Sequence, residues 1–564
     1  MTTRIVCFAS VLFLLNVSIE AFSQPISSKT TPQTKVRLPE EFSAHQPTIL
    51  PVLTSDGKRL YFDRKNYMGD TGGANDFDDI WFSDRLADGS WSKARNIGAP
   101  LNTLGSDVLC SLSPDDRTAL VYGIYDKELP VKNEGFSLTH FENGKWQFPQ
   151  AIQIRNFYNR TKKYYARLAP DNRTLLFALQ RAESLGGLDL YVSFREDTSL
   201  VWSEPLHLGK TVNTSAYEGS PHLAADGKTL YFSSEGLGGS GLADLFVTRR
   251  LDDTWQHWTT PVNLGSGINT SDEDSSIDVA LDGRTAYFLS SDSSGKKGLY
   301  QAILPDSLRH RGAVLLHGRV VLEKSVEKAL AKLGVSTEQM PHTDSRVCLT
   351  AYSVMRDSTV SARPTLFSLA ETTFDEHHYA LTLPAGEVSL VQASIAGTSA
   401  LPPWIGIIDT RTSLPTDERL AKREQNIVFS VQSASNLVFP SIHFAREQAS
   451  LLPEYTSILS LTTLAYKMLQ RQAQSSIQRF VVEVTGHTCD LGANEDNETL
   501  AEERAQAVAQ FLEDMGVPHD AIIVRSEGER KPLTRSKLEE ARALNRRVEV
   551  RIVMQTQPNK RAQR

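Results

Sequence analysis

A unit of 55 to 59 residues recurs between residues 41 and 304, and this repeat constrains the fold more than any other feature. It is marked by five turn sites: Ser55-Asp56-Gly57, Pro114-Asp115-Asp116, Pro170-Asp171-Asn172, Ala225-Asp226-Gly227 and Leu281-Asp282-Gly283. The aspartates at their centres stand 59, 56, 55 and 56 residues apart. An apolar run suited to a strand follows each, such as Leu60-Tyr61-Phe62, Leu175-Leu176-Phe177 and Ala286-Tyr287-Phe288. Asp-Gly and its relatives tolerate the positive φ that a tight hairpin needs, and aromatic residues fill the strands beside it.

Later in the unit comes another strand, as in Asp79-Ile80-Trp81-Phe82 or Asp244-Leu245-Phe246-Val247. A Trp, a Pro and a polar turn then follow, the turn reading Leu101-Asn102-Thr103, Val212-Asn213-Thr214 and Ile268-Asn269-Thr270 in three units. Four short strands in a unit of this size make a blade of an all-β propeller, in which radial repetition covers most exposed edges. Five blades fit the count, and a sixth can be assembled from the ends. The repeats over 41–304 resemble PD40 or TolB-like propeller repeats.

The 564-residue chain is long enough for further domains. Arg4, the apolar run Ile5 to Val17 and the small-residue stretch Ala21-Phe22-Ser23 read as a secretory signal over residues 1–23, too short to span a bilayer comfortably. Cys7 sits inside that apolar core, so no lipoprotein signal is expected. Cys110, Cys348 and Cys489 remain, three scattered thiols without zinc-site spacing or a disulfide framework. A formal net charge of -7 argues against general nucleic-acid binding.

The periodicity stops near Gly312. Strands at Val314–Val321, Val347–Tyr352 and Tyr379–Leu383, with the turn Pro384-Ala385-Gly386-Glu387, predict a β-sandwich over 312–432 that serves as a spacer. Its opening Gly-Arg-Val-Val and its Leu-Pro-Ala-Gly turn resemble a carboxypeptidase-regulatory-like domain.

From Asn436 to about residue 556 strands and helices alternate, which predicts an α+β domain. A strand is expected over Leu437–Phe444, and a helix carries the stripe Leu500, Ala501, Ala505, Val508 and Leu512. Arg504 falls inside that stripe. A guanidinium cannot lose its charge there and needs an acceptor, which could be Asp490 or Glu549 in a structural salt bridge.

Gly486-His487-Thr488, Gly492, Asn497, Leu500, Arg504-Ala505 and Asn545-Arg546-Arg547-Val548-Glu549 resemble, in order and spacing, the OmpA-like C-terminal domain. That resemblance implies non-covalent binding of peptidoglycan through the diaminopimelate of its stem peptide. The residues it nominates are Thr488, Cys489, Asp490, Asn497, Arg504 and Arg546. It implies that Arg504 pairs with the ligand carboxylate, for which a bidentate fork is suited. Cys489 stands where the family has an Asp that meets the ammonium group, and Ala445 stands where it has another after Phe444. Asp490 could substitute, the stem could be read differently, or only the scaffold could remain. Cys489 is expected to be a neutral loop thiol and His487 a structural residue.

No catalytic residue, cofactor or metal is expected. The chain has no Gly-x-Ser-x-Gly elbow and no His-Glu-x-x-His pair. Gly236–Gly241 is expected to be a turn between strands, and His377-His378 a surface pair. The acidic runs Asp76–Asp79 and Asp272–Asp274 are expected to be solvated turns in preference to calcium sites. Propeller, sandwich and OmpA-like module in series resemble a peptidoglycan-anchored component of the type IX secretion system, without its TPR repeats. The expected protein is a non-enzymatic envelope scaffold in the periplasm, associated with peptidoglycan and the outer membrane. Its propeller would hold an envelope protein partner or, alternatively, act as a receptor for a saccharide or peptide.

Overall fold

All five Asp-centred turns close hairpins. A residue in each takes positive φ: Gly57 at 68°, Asp116 at 61°, Asn172 at 55°, Gly227 at 66° and Gly283 at 75°. The N–H of that residue donates to the carbonyl of Thr54, Ser113, Ala169, Ala224 or Ala280, at 2.9–3.0 Å. Where glycine is missing, Asp and Asn fill the position, the side chains that best tolerate left-handed backbone.

The computed structural model describes residues 35–556 apart from 43–49, 74–76, 128–132, 197–199, 311, 325, 327, 329–346, 355–363, 373–377, 396–403, 412–420, 425–426, 430–435 and 474–477. The expected signal segment and His377 lie outside the described residues.

Five antiparallel sheets follow one another in chain order. The first joins Val52–Leu53, Arg59–Lys65, Asp78–Asp84 and Arg95–Asn96. The second joins Leu109–Leu112, Thr118–Ile124, Asn133–Glu142 and Gln150–Ala151. The third joins Tyr165–Leu168, Thr174–Leu179, Asp189–Phe194 and Leu206–His207. The fourth joins Glu218–Leu223, Thr229–Ser234, Asp244–Arg249 and Val262–Asn263. The fifth has Ser275–Val279, Thr285–Ser291 and Lys297–Ile303, and its outer strand is Val36–Arg37 from the N-terminal side. The ends of the repeat region therefore meet inside the fifth sheet.

The recurrent Asn-Thr turn ties each of three sheets to the next. Asn102, Asn213 and Asn269 each accept the N–H and donate to the carbonyl of one third-strand residue, respectively Ile80, Leu190 and Leu245, at 2.7–3.1 Å. The following Thr103, Thr214 and Thr270 donate N–H to the carboxylates of Asp107, Glu218 and Asp274, at or near the start of the next sheet. This corrects in part the expectation of solvated acidic turns: Glu273 is exposed and Asp272 half-buried, whereas Asp78, Asp79 and Asp274 are buried. Their oxygens serve the loops, as when Thr71 donates N–H to Asp79 at 2.8 Å. Gly236–Gly241 does lie in the loop between two paired strands.

Two residues before the five hairpin carbonyls stand Val52, Ser111, Arg167, His222 and Asp278, one from the first strand of each sheet. Arg167 pairs with Asp278 at 2.7 Å and donates to the carbonyl of Pro51 at 2.9 Å. Leu168 N–H donates to Ser111 Oγ, Leu53 N–H to Asp278 Oδ2, and Val279 N–H to His222 Nε2. The five first strands thus share one hydrogen-bonded polar centre.

After residue 312 come two four-stranded sheets. One holds His378–Pro384, Ala313–Leu322, Ala421–Glu424 and Ile427–Phe429; the other holds Pro364–Thr372, Val347–Val354, Val388–Ile395 and Trp404–Asp409. Leu316, Leu349, Leu381, Val391 and Ile408 are buried together between them.

The C-terminal region has a five-stranded mixed sheet and three helices: β1 (Asn436–Val438), β2 (Ile442–His443), α1 (Thr456–Ala473), β3 (Gln478–His487), α2 (Asn494–Asp514), β4 (Ile522–Gly528), α3 (Glu539–Asn545) and β5 (Arg547–Thr556). The strand expected over Leu437–Phe444 is interrupted at Phe439–Ser441, because Pro440 has no N–H for the ladder. Its two halves both pair with β5, which also pairs with β3. Ile458, Leu461, Ala465 and Leu469 of α1 share one apolar cluster with Val482, Val508 and Val550, and also with Val388, Leu390 and Ile405 of the preceding region. The two regions therefore bury apolar surface against each other.

Candidate functional site

The site lies where β3 runs into its loop beneath α2. Gly486 lets the two elements approach: a Cβ there would stand 1.9 Å from the carbonyl oxygen of Ala501. The buried face of α2 consists of Asn497, Ala501, Arg504, Ala505, Val508, Ala509 and Leu512. Arg504 therefore occupies the apolar arc its spacing predicts, with 0% of its surface exposed.

What satisfies Arg504 differs from the expected salt bridge. Its Nε donates to the carbonyl of Gln448 at 2.8 Å, Nη1 to that of His487 at 3.2 Å and Nη2 to that of Ala445 at 3.1 Å. The Phe444 ring lies 5.4 Å from the guanidinium carbon. Asp490 instead pairs with Arg542 at 2.7 Å, and Glu549 with Arg547 at 2.6 Å and Arg551 at 3.0 Å. Among the described residues no carboxylate lies within ion-pair distance of Arg504. Burial, with the nearby charge of Arg546, lowers its pKa to about 10. Three carbonyl acceptors leave two of its five N–H groups for another acceptor.

Around this cation several buried polar atoms have no hydrogen-bond partner: Nδ1 and Nε2 of His487, Oγ1 of Thr488, and Nη1 of both Arg546 and Arg547. Such atoms are costly unless something completes them. Burial, reinforced by Arg547, depresses the His487 imidazole to about 4. That ring is neutral near pH 7. Arg546 donates Nε to the Phe444 carbonyl at 3.4 Å and pairs with Glu539 at 2.8 Å.

The nominated residues divide. Thr488, Cys489, Arg504 and Arg546 gather here: Thr488 N–H donates to the Gly528 carbonyl at 2.9 Å, and Cys489 is buried with a free thiol. Asp490 is half-exposed at its bond to Arg542, which holds its carboxyl below the usual range. Asn497 is buried but turned to Glu529, to which its amide donates at 2.9 Å. Arg542 and the carbonyls of Ala445 and Gln448 carry no local signal in the sequence. Among the described residues no cluster of three or more His, Cys, Asp or Glu is placed to hold a metal ion. Nor, among them, is any helix long and apolar enough to cross a membrane.

Chemically, this is a buried cation with spare donors beside further guanidinium groups, suited to an anionic oxygen pair. Residues 443–546 match the OmpA family. Outer membrane porin F of Pseudomonas fluorescens is 40% identical over 76 residues, 14% of this chain and 23% of the porin. Outer-membrane lipoprotein YfiB of Pseudomonas aeruginosa is 26% identical, covering 28% of this chain and 84% of that protein. The peptidoglycan-associated lipoprotein of Pseudomonas aeruginosa is 32% identical, covering 20% of this chain and 61% of that protein. The chain thus spans about a quarter of the porin and less than two thirds of the associated lipoprotein. Residues 443–546 form an OmpA-like domain at the C-terminal end of a mostly β, multidomain chain.

Proposed function

We propose that the chain is a non-enzymatic scaffold of the cell envelope that grips peptidoglycan non-covalently through its OmpA-like domain. The observation that carries this reading is Arg504, a fully buried guanidinium with no carboxylate among the described residues to neutralise it. Burying an unpaired charge is expensive, and a ligand carboxylate would offset that cost. The unpartnered atoms of His487, Thr488 and Arg546 lie beside it, and a relative named for association with peptidoglycan supports the same ligand. The stem-peptide diaminopimelate supplies the carboxylate in this reading, with Thr488, Cys489, Arg504 and Arg546 as the contact set. Asp490 would meet the ammonium group after releasing Arg542, and Asn497 would hold the loop.

The five sheets are, in this proposal, the blades of a propeller over about residues 36–304, and the two-sheet region is a β-sandwich spacer. Convergence of the five first strands on Arg167, His222 and Asp278 supports the radial arrangement. The propeller would present a face to an envelope protein in the periplasm, in a secretion or outer-membrane complex. Wall tethering raises the local concentration of whatever it holds.

Sedimentation of the full chain with diaminopimelate-type peptidoglycan tests the anchor. Wild type should pellet, Arg504→Gln should stay in solution while folded, and free diaminopimelate should release the wild type. Wild-type protein that stays in the supernatant removes the anchor. Asp490→Ala reports whether that carboxylate takes part.

A further inference from the structure

A small cavity, open at its mouth, lies where the first strands of all five sheets converge. Leu112, Leu168, Leu223 and Leu281, with Pro114 and Pro170, form its apolar walls. Among the described residues no Phe, Tyr or Trp lines it. Arg167, His222 and Asp278 are polar lining residues from the shared centre of the five strands, and together they carry no net charge. Arg167 and Asp278 form an ion pair at 2.7 Å, and burial holds His222 well below its usual pKa.

One charged side chain of the lining is left over. The carboxylate of Asp116 accepts the N–H and the hydroxyl of Ser55, both at 2.8 Å, across from the neighbouring hairpin. Among the described residues no Lys, Arg or His pairs with it. Burial, with Asp56 and Asp115 nearby, pushes its carboxyl up to about 7, as expected of an anion lacking a counter-ion.

We propose that this cavity binds a primary ammonium group borne on an aliphatic chain, with Asp116 as its counter-ion and the leucine walls around its methylenes. A quaternary ammonium fits less well, because such ions are held by the faces of Trp, Tyr or Phe, which this lining lacks. A lysine side chain of a protein partner and a free aliphatic amine offer the same chemistry. The site is independent of the wall-binding reading, since it uses none of the C-terminal residues.

Ligand-observed NMR on the full chain, at about pH 8 so that Asp116 is ionised, tests this with n-butylammonium, 1-butanol and tetramethylammonium. Butylammonium should bind at least about tenfold more tightly than either control. Asp116→Asn should remove that preference without shifting the melting temperature downward. Ala225→Leu, which fills the cavity from its wall, should abolish binding of every probe. Capped lysine peptide against cadaverine then separates the sources: tighter binding of the peptide identifies a protein partner, and tighter binding of cadaverine a free amine. Equal binding of butylammonium and butanol, unchanged binding by Asp116→Asn, or no amine binding up to about 50 mM overturns the proposal.

Discussion

Arg504 Nη1 donates to the main-chain oxygen of His487 at 3.2 Å, so the longest helix of the C-terminal region is tied to the end of β3. The bond gives Arg504 a structural role, to which the proposed ligand contact would add a second. The guanidinium holds Ala445, Gln448 and His487 in place, and in the proposed function its two remaining N–H groups would meet the ligand carboxylate.

Replacing Arg504 should therefore separate two effects. Arg504→Ala strands three carbonyls and leaves a cavity, and should cost about 2–4 kcal/mol in chemical denaturation. Arg504→Lys keeps the charge but not the planar fork. It should stay folded yet lose at least about tenfold in peptidoglycan affinity by sedimentation. Full wall binding by the Lys variant would sink the bidentate role.

Gly486→Ala should destabilise the same region through packing alone. Its added methyl would meet the Ala501 carbonyl oxygen at 1.9 Å, so β3 and α2 must separate. A loss of about 1–3 kcal/mol is expected, read as a lower melting temperature. A neutral result would mean that the strand and helix can part without cost.

His487 links stability to pH. Burial, then the charge of Arg547, holds its pKa near 4, below the unfolded value of 6.5. The unfolded chain consequently binds more protons between those values, and stability should fall as pH drops from about 6.5 toward 4. His487→Gln should flatten that slope in denaturation curves. An unchanged slope would assign the acid sensitivity to other groups.

The Asn clamps of the repeat predict a graded series. Asn213→Ala leaves the N–H of Leu190 unpaired in a buried position and takes one of two donors from its carbonyl, which keeps the Leu208 N–H; Asn269→Ala does the same to Leu245, whose carbonyl keeps the Leu264 N–H. Each should cost about 1–3 kcal/mol by thermal or chemical unfolding. Asn213→Asp retains an acceptor for the N–H but loses the donor, and should fall between wild type and alanine.

Leu390→Ala probes the junction before the OmpA-like domain. Leu390 is 0% exposed and clusters with α1 residues. The truncation should cost about 2–5 kcal/mol and lower the melting of the C-terminal region along with its own sheet. Independent melting of the two would show that the shared cluster couples them little.

Much of the backbone was legible because its cause is local. Five Asp-centred turns announce positive φ at a position that only Gly, Asn or Asp fills easily, and all five adopt it. The α2 stripe likewise places Arg504 inside by helical period alone. Other readings failed where partners are remote. Asp79 and Asp274 looked like solvent-facing turn residues, yet neighbouring loops bury them as acceptors. The salt bridge offered to Arg504 went elsewhere because Arg542 and Arg547 claim Asp490 and Glu549.

By itself the sequence determined where the chain turns, which residues alternate in and out, and that a permanent cation sits in an apolar stripe. These follow from φ/ψ sterics and side-chain period, which act within a few residues. Only the tertiary structure decided that Val36–Arg37 completes the fifth sheet, that Arg504 rests on three carbonyls, and that Asp116 lines a cavity shared by all five sheets. Those outcomes join segments far apart in the chain. They are settled by which buried polar groups can satisfy one another once the apolar faces have packed.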